Sequence, residues 1–181
     1  MTDDSNLYAG IARELLSEQE IQRRVDELGA ELADLYRGKR PLLVGVLTGA
    51  FVFMADLCRA MQIPLDVEFM AVSSYGEATE TSGVVRILKD LDTPIEGRDV
   101  LIVEVIIDSG LTLHYLLDVL ERRGPNDIKV VALLMKDRKY LAKVRVDYCG
   151  FTIPDEFVVG YGLDVANRYR NLRYVGVYDG S

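Results

Sequence analysis

An α/β fold, with a mainly parallel sheet flanked by helices, is what this sequence predicts, and three observations predict it. Apolar runs at residues 42–47, 100–107 and 128–135 lack the alternation of a half-exposed strand, so each suits a parallel strand covered on both faces. Segments of helical periodicity alternate with them, the order expected of right-handed strand–helix–strand crossovers. Beyond residue 145 the pattern shifts to short strands near 145, 157 and 174 joined by loops, which suits a small lobe over the sheet. With 181 residues, 49% of them hydrophobic, the chain fits one domain with a sizeable core.

Taken in order, Ser17-Glu18-Gln19-Glu20 has the form of a capping box, and Ile21, Val25, Leu28, Leu32 and Leu35 then recur at helical spacing up to Gly38. Residues 42–47 form a short strand, Thr48-Gly49 a turn, and Phe51, Met54, Ala55 and Cys58 the buried face of a second helix. Residues 65–72 form another strand. Residues 73–83 (SSYGEATETSG) are small and polar, with little to anchor them, and predict a mobile loop returning through a strand at 84–88. A turn at 92–97 leads to the central strand at 100–107, then a helix over 111–123 ended by Gly124-Pro125, then the strand at 128–135.

Charge and cysteine usage narrow the function. The chain has 21 Lys+Arg against 29 Asp+Glu, a formal net charge of -8, which disfavours nucleic acid and anionic membranes as partners. Any anion site must therefore be local. Cys58 and Cys149 belong to no CxxC or zinc spacing and read as buried free thiols. The amino terminus is acidic, and no segment approaches about 18 uninterrupted apolar residues, so a cytoplasmic protein is expected. The single histidine, His114, lies in a helix with no HExxH or Ser-His-Asp pattern to recruit it. GxxxxGK[ST] is absent, and GYG at 160–162 lacks the third glycine of a dinucleotide fingerprint.

The most informative stretch is Val100 to Thr112 (VLIVEVIIDSGLT), a strand run broken by Glu104 and ending in a small-residue loop that opens a helix. In open α/β sheets ligands gather beyond the carboxyl ends of strands. There, free N–H groups and the positive end of a helix dipole favour a phosphate. Gly110 lets the backbone approach an anion, Ser109 and Thr112 add hydroxyl donors, and Glu104 and Asp108 supply carboxylates for sugar hydroxyls or a hydrated Mg²⁺. The same loop also suits a buried strand turning into a helix capped by Ser109 or Thr112. Glu104 favours the site, because a carboxylate in an apolar strand is costly without a partner.

With these residues in view, VLIVEVIIDSGLTL resembles the phosphoribosyl pyrophosphate motif of type I phosphoribosyltransferases, and most of residues 12–178 resembles the bacterial hypoxanthine-guanine branch of that family. LLVGVLTGAFVFMADL (42–57) is similar to the pyrophosphate loop and its helix, SSYG (73–76) to the start of the mobile loop, and LLMK (133–136) to the strand carrying a purine-binding lysine. IPDEFVVGYGLD (153–164) and RYRNL (168–172) are similar to a base-binding hood, formed mainly by 145–178 with the amino-terminal segment.

The resemblance implies transfer of a ribosyl phosphate from phosphoribosyl pyrophosphate to a purine nitrogen, with Mg²⁺ as cofactor and a homodimer or homotetramer as the assembly. Asp108 would act as base, while Glu104, Asp108, Ser109, Gly110, Leu111 and Thr112 would hold the phosphoribosyl group. Thr48, Gly49 and Arg170 would bind pyrophosphate. Lys136 would donate to the purine O6, Phe157 would stack on the ring, and Val158 would offer backbone atoms to the base edge. Ser74 and Tyr75 would lie at the lid tip, and Glu104 and Asp164 near the metal. Val105 stands where the family has a second acidic residue, which removes one set of charge-assisted contacts worth about 1.5–3 kcal/mol each. It leaves two functional readings: a transferase holding its sugar through Glu104 alone, or a module that binds purine nucleotide or phosphoribosyl pyrophosphate without efficient turnover. Val165 also departs, from an aromatic position in the hood. The Leu47–Thr48 peptide is left open to either isomer.

Overall fold

Ser17 caps the first helix as its spacing requires. Its side chain accepts from Glu20 N, and the Glu20 carboxylate accepts from Ser17 N, so two otherwise orphaned donors are satisfied. In the computed structural model, which describes residues 6–75, 84–138 and 144–180, the elements run β1 (Ile11–Leu16), α1 (Glu18–Leu35), β2 (Leu42–Leu47), α2 (Phe51–Met61), β3 (Asp66–Tyr75), β4 (Val84–Lys89), β5 (Asp99–Ile107), α3 (Leu111–Glu121), β6 (Asp127–Lys136), β7 (Tyr148–Ile153), β8 (Val158–Val159) and β9 (Val175–Tyr178).

Six strands form the main sheet in the order β4-β3-β2-β5-β6-β7, with β4 antiparallel to β3 and every other pairing parallel. Each central strand is apolar on both faces because each face is covered. Leu43, Leu101, Val103 and Val131 pack with α1 and α2, while Leu42, Val44, Val100, Ile102 and Val130 pack with Leu113, Leu116 and Leu120 of α3. The result is a three-layer arrangement with helices on both sides of the sheet.

The second sheet, β1-β9-β8, is antiparallel and forms the hood. Val158, Val175 and Val177 join the α1–α2 side of the core, and the Arg13–Glu156 ion pair at 2.7 Å ties β1 to the loop before β8.

Four sequence expectations change. The face that α2 buries is Phe53, Met54, Leu57 and Met61, while Phe51 and Ala55 are exposed and Cys58 is half-buried, because the i, i+1, i+4, i+8 stripe that meets the core starts at Phe53 and not at Phe51. The short strand expected near 145 is β7, and it extends the main sheet beside β6 because its backbone finds an open parallel edge there. Residues 73–75, expected in the mobile loop, continue β3, because Ser73, Ser74 and Tyr75 pair with Arg86, Val85 and Val84. The rest of the expected lid, 76–83, lies outside the described residues. Among the described residues no side chain caps α3: its first turn is entered through Gly110 in a left-handed conformation (φ 80°), and Ser109 Oγ accepts from Leu111 N at a long 3.4 Å.

Candidate active site

The site arises where two neighbouring strands send their chains in opposite directions. β2 and β5 pair in parallel, but the chain leaving β2 crosses through α2 to β3 on one side, and the chain leaving β5 crosses through α3 to β6 on the other. The loops after the two strands therefore diverge and leave a crevice at the topological switch point. A cavity of about 340 Å³ lies there. Its walls include Thr48 and Gly49 after β2, Glu104, Asp108, Ser109, Gly110 and Thr112 along β5 and its loop, and Asp164 and Arg170 from the hood.

Thr48-Gly49-Ala50 passes close beneath the hood. The Leu47–Thr48 peptide is cis. A Cβ on Gly49 would lie 3.0 Å from Val105 Cγ1, and a Cβ on Gly162 would run into the Gly49 carbonyl oxygen. Gly162 also has φ 96°, so no other residue fits this approach without moving the loop. Val105, at 3% exposure, thus fills the space beside the loop, and a carboxylate there would be almost fully desolvated.

Glu104 is buried at 9% exposure, and burial pushes its carboxyl up to about 8, so in the empty protein it is largely protonated at neutral pH. It can therefore donate to a sugar oxygen as well as accept. Asp164 is held open to the cavity by its own turn: one oxygen accepts from Asn167 N at 2.7 Å, and the other pairs with Arg170 at 2.9 Å. Arg170 Nη1 donates to Gly162 O at 2.7 Å, so the guanidinium is anchored on the hood while its cation faces the loop after β2.

Asp108 forms the boundary between this cavity and a charged cluster. Lys136, at the end of β6 and only 7% exposed, places Nζ 3.5 Å from Asp108 Oδ2 and 3.6 Å from Asp155 Oδ1. A lysine this buried requires anionic partners, and it has two. Phe157 is not core: it is 52% exposed, its ring edge-on to Tyr178 at 6.0 Å. Val158 is buried and paired with Val177.

Lys136, Phe157 and Val158 lie outside the walls of the 340 Å³ cavity, as does Leu111, whose side chain is exposed at the start of α3; Ser74 and Tyr75 end β3. Two residues were not legible as site residues. Arg138 pairs with both Asp108 (2.6 Å) and Asp155 (2.7 Å), and its guanidinium holds the Asp155 carboxyl below the usual range. The sequence signal was there in part, since Arg138 follows Lys136 by two residues and Asp155 precedes Phe157 by two. His114 is exposed on α3, and Cys58 and Cys149 are free and half-buried.

Fold and crevice together define an open α/β protein with a cavity at the switch point, between the loops that follow β2 and β5. Residues 12–166 match the phosphoribosyl transferase domain, and the chain belongs to the phosphoribosyltransferase family. It is 55% identical over 167 residues to the hypoxanthine-guanine phosphoribosyltransferase of Bacillus subtilis (strain 168), covering 92% of this chain and 93% of that one. To the enzyme of the same name from Mycobacterium avium it is 53% identical over 182 residues, 97% and 90% of the two chains. A crystal structure of a hypoxanthine phosphoribosyltransferase from Staphylococcus aureus superposes with a TM-score of 0.90 at 44% identity, covering 94% and 92%.

Proposed function

We propose that the chain transfers the 5-phosphoribosyl group from phosphoribosyl pyrophosphate to a 6-oxopurine, hypoxanthine or guanine, giving IMP or GMP and pyrophosphate in purine salvage. The observation that carries this reading is the position of Asp108, one side toward the cavity and the other toward buried Lys136. A nucleophile recognised at Lys136 and an electrophile seated in the cavity would meet at that carboxylate. Likeness to relatives named as transferases, over most of both chains, supports turnover over the second reading, a binding module.

The chemistry follows from charge. Glycosyl transfer passes through a ribosyl cation with long bonds to both partners, so the site must favour positive charge on the sugar and negative charge on the leaving group. The Asp108 carboxylate answers the first need and accepts the proton that the purine nitrogen must lose. The 5′-phosphate rests on the loop from Ser109 to Thr112, where the free N–H groups of α3 point outward. Arg170, Thr48 and Gly49 face the diphosphate. Lys136 can only donate, so it selects an oxo group over an amino group at purine C6. Phe157 offers its exposed face to the ring, and the Val158 backbone its polar atoms to the base edge.

Among the described residues no three or more His, Cys, Asp or Glu side chains gather as a metal cage. Asp164 nevertheless supplies hard oxygen donors to the cavity, and Glu104 would do so once a nearby cation favours loss of its proton, which fits a Mg²⁺ carried mainly by substrate phosphate and water. When bound, it would neutralise charge developing on pyrophosphate. We place the protein in the cytoplasm; no helix among the described residues is long and apolar enough to cross a membrane. The exposed apolar side chains of Leu7 and Phe51, close together beside Arg168 and Asn171, support assembly as a homodimer or homotetramer.

Incubation with phosphoribosyl pyrophosphate, Mg²⁺ and each base in turn, followed by mass analysis, tests the proposal. Nucleoside monophosphate and pyrophosphate should appear together and in equal amounts. Hydrolysis to ribose 5-phosphate without nucleotide would overturn it.

A further inference from the structure

Resting on that reading, we infer that Arg138 is a clasp that closes the purine subsite of the empty protein and that the incoming base displaces. Arg138 lies two residues beyond Lys136 at the end of β6, and Asp155 lies two residues before Phe157 at the entrance to β8. One guanidinium Nη reaches Asp108 at 2.6 Å and the other reaches Asp155 at 2.7 Å, so a single side chain spans from the β5 loop to the hood. The residues that would recognise the base stand on the two segments it ties together.

The bridge uses the groups that the base needs. Asp108 Oδ1 is taken by Arg138 and Oδ2 faces Lys136 at 3.5 Å, while Lys136 Nζ divides itself between Asp108 and Asp155. A purine must find an acceptor at Asp108 and a donor at Lys136, so binding the base and keeping the bridge intact compete for the same atoms.

The bridge is also built to open. Both carboxylates are about half exposed (52% and 47%), where water competes for the guanidinium and an ion pair is weak. Arg138 Nε, by contrast, is buried with no acceptor among the described residues. A guanidinium that leaves one donor unmatched is not in the best arrangement open to it, and swinging outward returns that donor to water. Arg138 therefore acts as a positioning residue: it keeps two carboxylates and a lysine from collapsing or repelling while the subsite is empty, and it sets a threshold that a base must overcome.

Two probes separate this from other roles. Inosine 5′-monophosphate fills both the phosphate loop and the base subsite, whereas ribose 5-phosphate fills the loop alone. In calorimetric titrations, Arg138→Met should tighten inosine 5′-monophosphate by about 3- to 10-fold, the scale of one exposed charge-assisted contact, and change ribose 5-phosphate by less than about twofold. Asp155→Asn should act in the same direction, and the double variant should gain no more than the stronger single one, because both open the same bridge. Unchanged ribose 5-phosphate binding also reports that the variants are folded. Weaker or unaltered inosine 5′-monophosphate binding by Arg138→Met would overturn the clasp while leaving the transferase reading in place. If parent and variants bind ribose 5-phosphate but none binds the nucleotide, the purine reading itself fails, and the clasp with it.

Discussion

Lys136 Nζ and Asp108 Oδ2 stand 3.5 Å apart at the carboxyl ends of adjacent parallel strands, the lysine buried and the carboxylate open to the neighbouring cavity. In the proposed reaction that juxtaposition would set a donor for the base beside an acceptor at the edge of the phosphosugar site.

The first prediction removes the acceptor. Asp108→Asn keeps the shape but loses the charge and the base, so kcat should fall by about 10²-fold or more while the fold persists. Near-normal turnover by a folded variant would exclude Asp108 from the proton transfer.

The second concerns Lys136. Lys136→Ala should weaken use of 6-oxopurines far more than binding of phosphoribosyl pyrophosphate, because the ammonium lies outside the walls of the cavity that would hold the latter. Separate titrations of the two substrates test this, and equal losses in both would mark the lysine as structural.

A third follows from burial of Glu104. Its carboxyl moves from an ordinary 4.5 to about 8 in the folded chain, so the folded state binds the proton more tightly than the unfolded one across that window. The resulting stabilisation is complete below about pH 4.5 and is lost as pH rises through about 8. Glu104→Gln cannot ionise, so relative to the parent it should gain about 2 kcal/mol or more between pH 5 and pH 9, read from urea midpoints without ligand. Parallel pH profiles for the two proteins would show that Glu104 is ionised and satisfied in the fold.

The fourth tests the departure at Val105. Val105→Asp would add a carboxylate beside Glu104 and toward the cavity, and one charge-assisted contact to ribose or to a hydrated metal is worth about 1.5–3 kcal/mol. At 3% exposure much of that is offset by desolvation, so the expected gain in phosphoribosyl pyrophosphate affinity is roughly 10-fold or less and depends on Mg²⁺. A folded variant no better than the parent across a magnesium titration would mean that Val105 serves only to pack against the Gly49 loop.

Elements with local signals were legible in the sequence. The capping box at Ser17 and the unbroken apolar run of β2 announce themselves in a few residues, and α1 and β2 begin within a residue of where the pattern puts them. β1 was not legible, because Ile11–Leu16 has three exposed positions in a row and is a strand only through its pairing with β9, at the far end of the chain. The same holds for Ser73, Ser74 and Tyr75, which look like loop but are held in register by β4. In the site, the loop after β5 could be read as a cavity wall because glycine and hydroxyls follow a buried strand. The Arg138–Asp155 bridge could not, since neither residue signals a partner until the ends of β6 and β7 bring the two loops together.

The most direct test of the central claim, that Lys136 and Asp108 serve a 6-oxopurine beside a phosphoribosyl site, is kcat/KM for hypoxanthine against adenine at fixed phosphoribosyl pyrophosphate and Mg²⁺. Hypoxanthine should be converted to nucleotide at least about 10³-fold more efficiently, since adenine brings donors to a buried donor and leaves it unpaired. Comparable rates for the two bases, or tight binding of hypoxanthine with no nucleotide formed, would contradict the account.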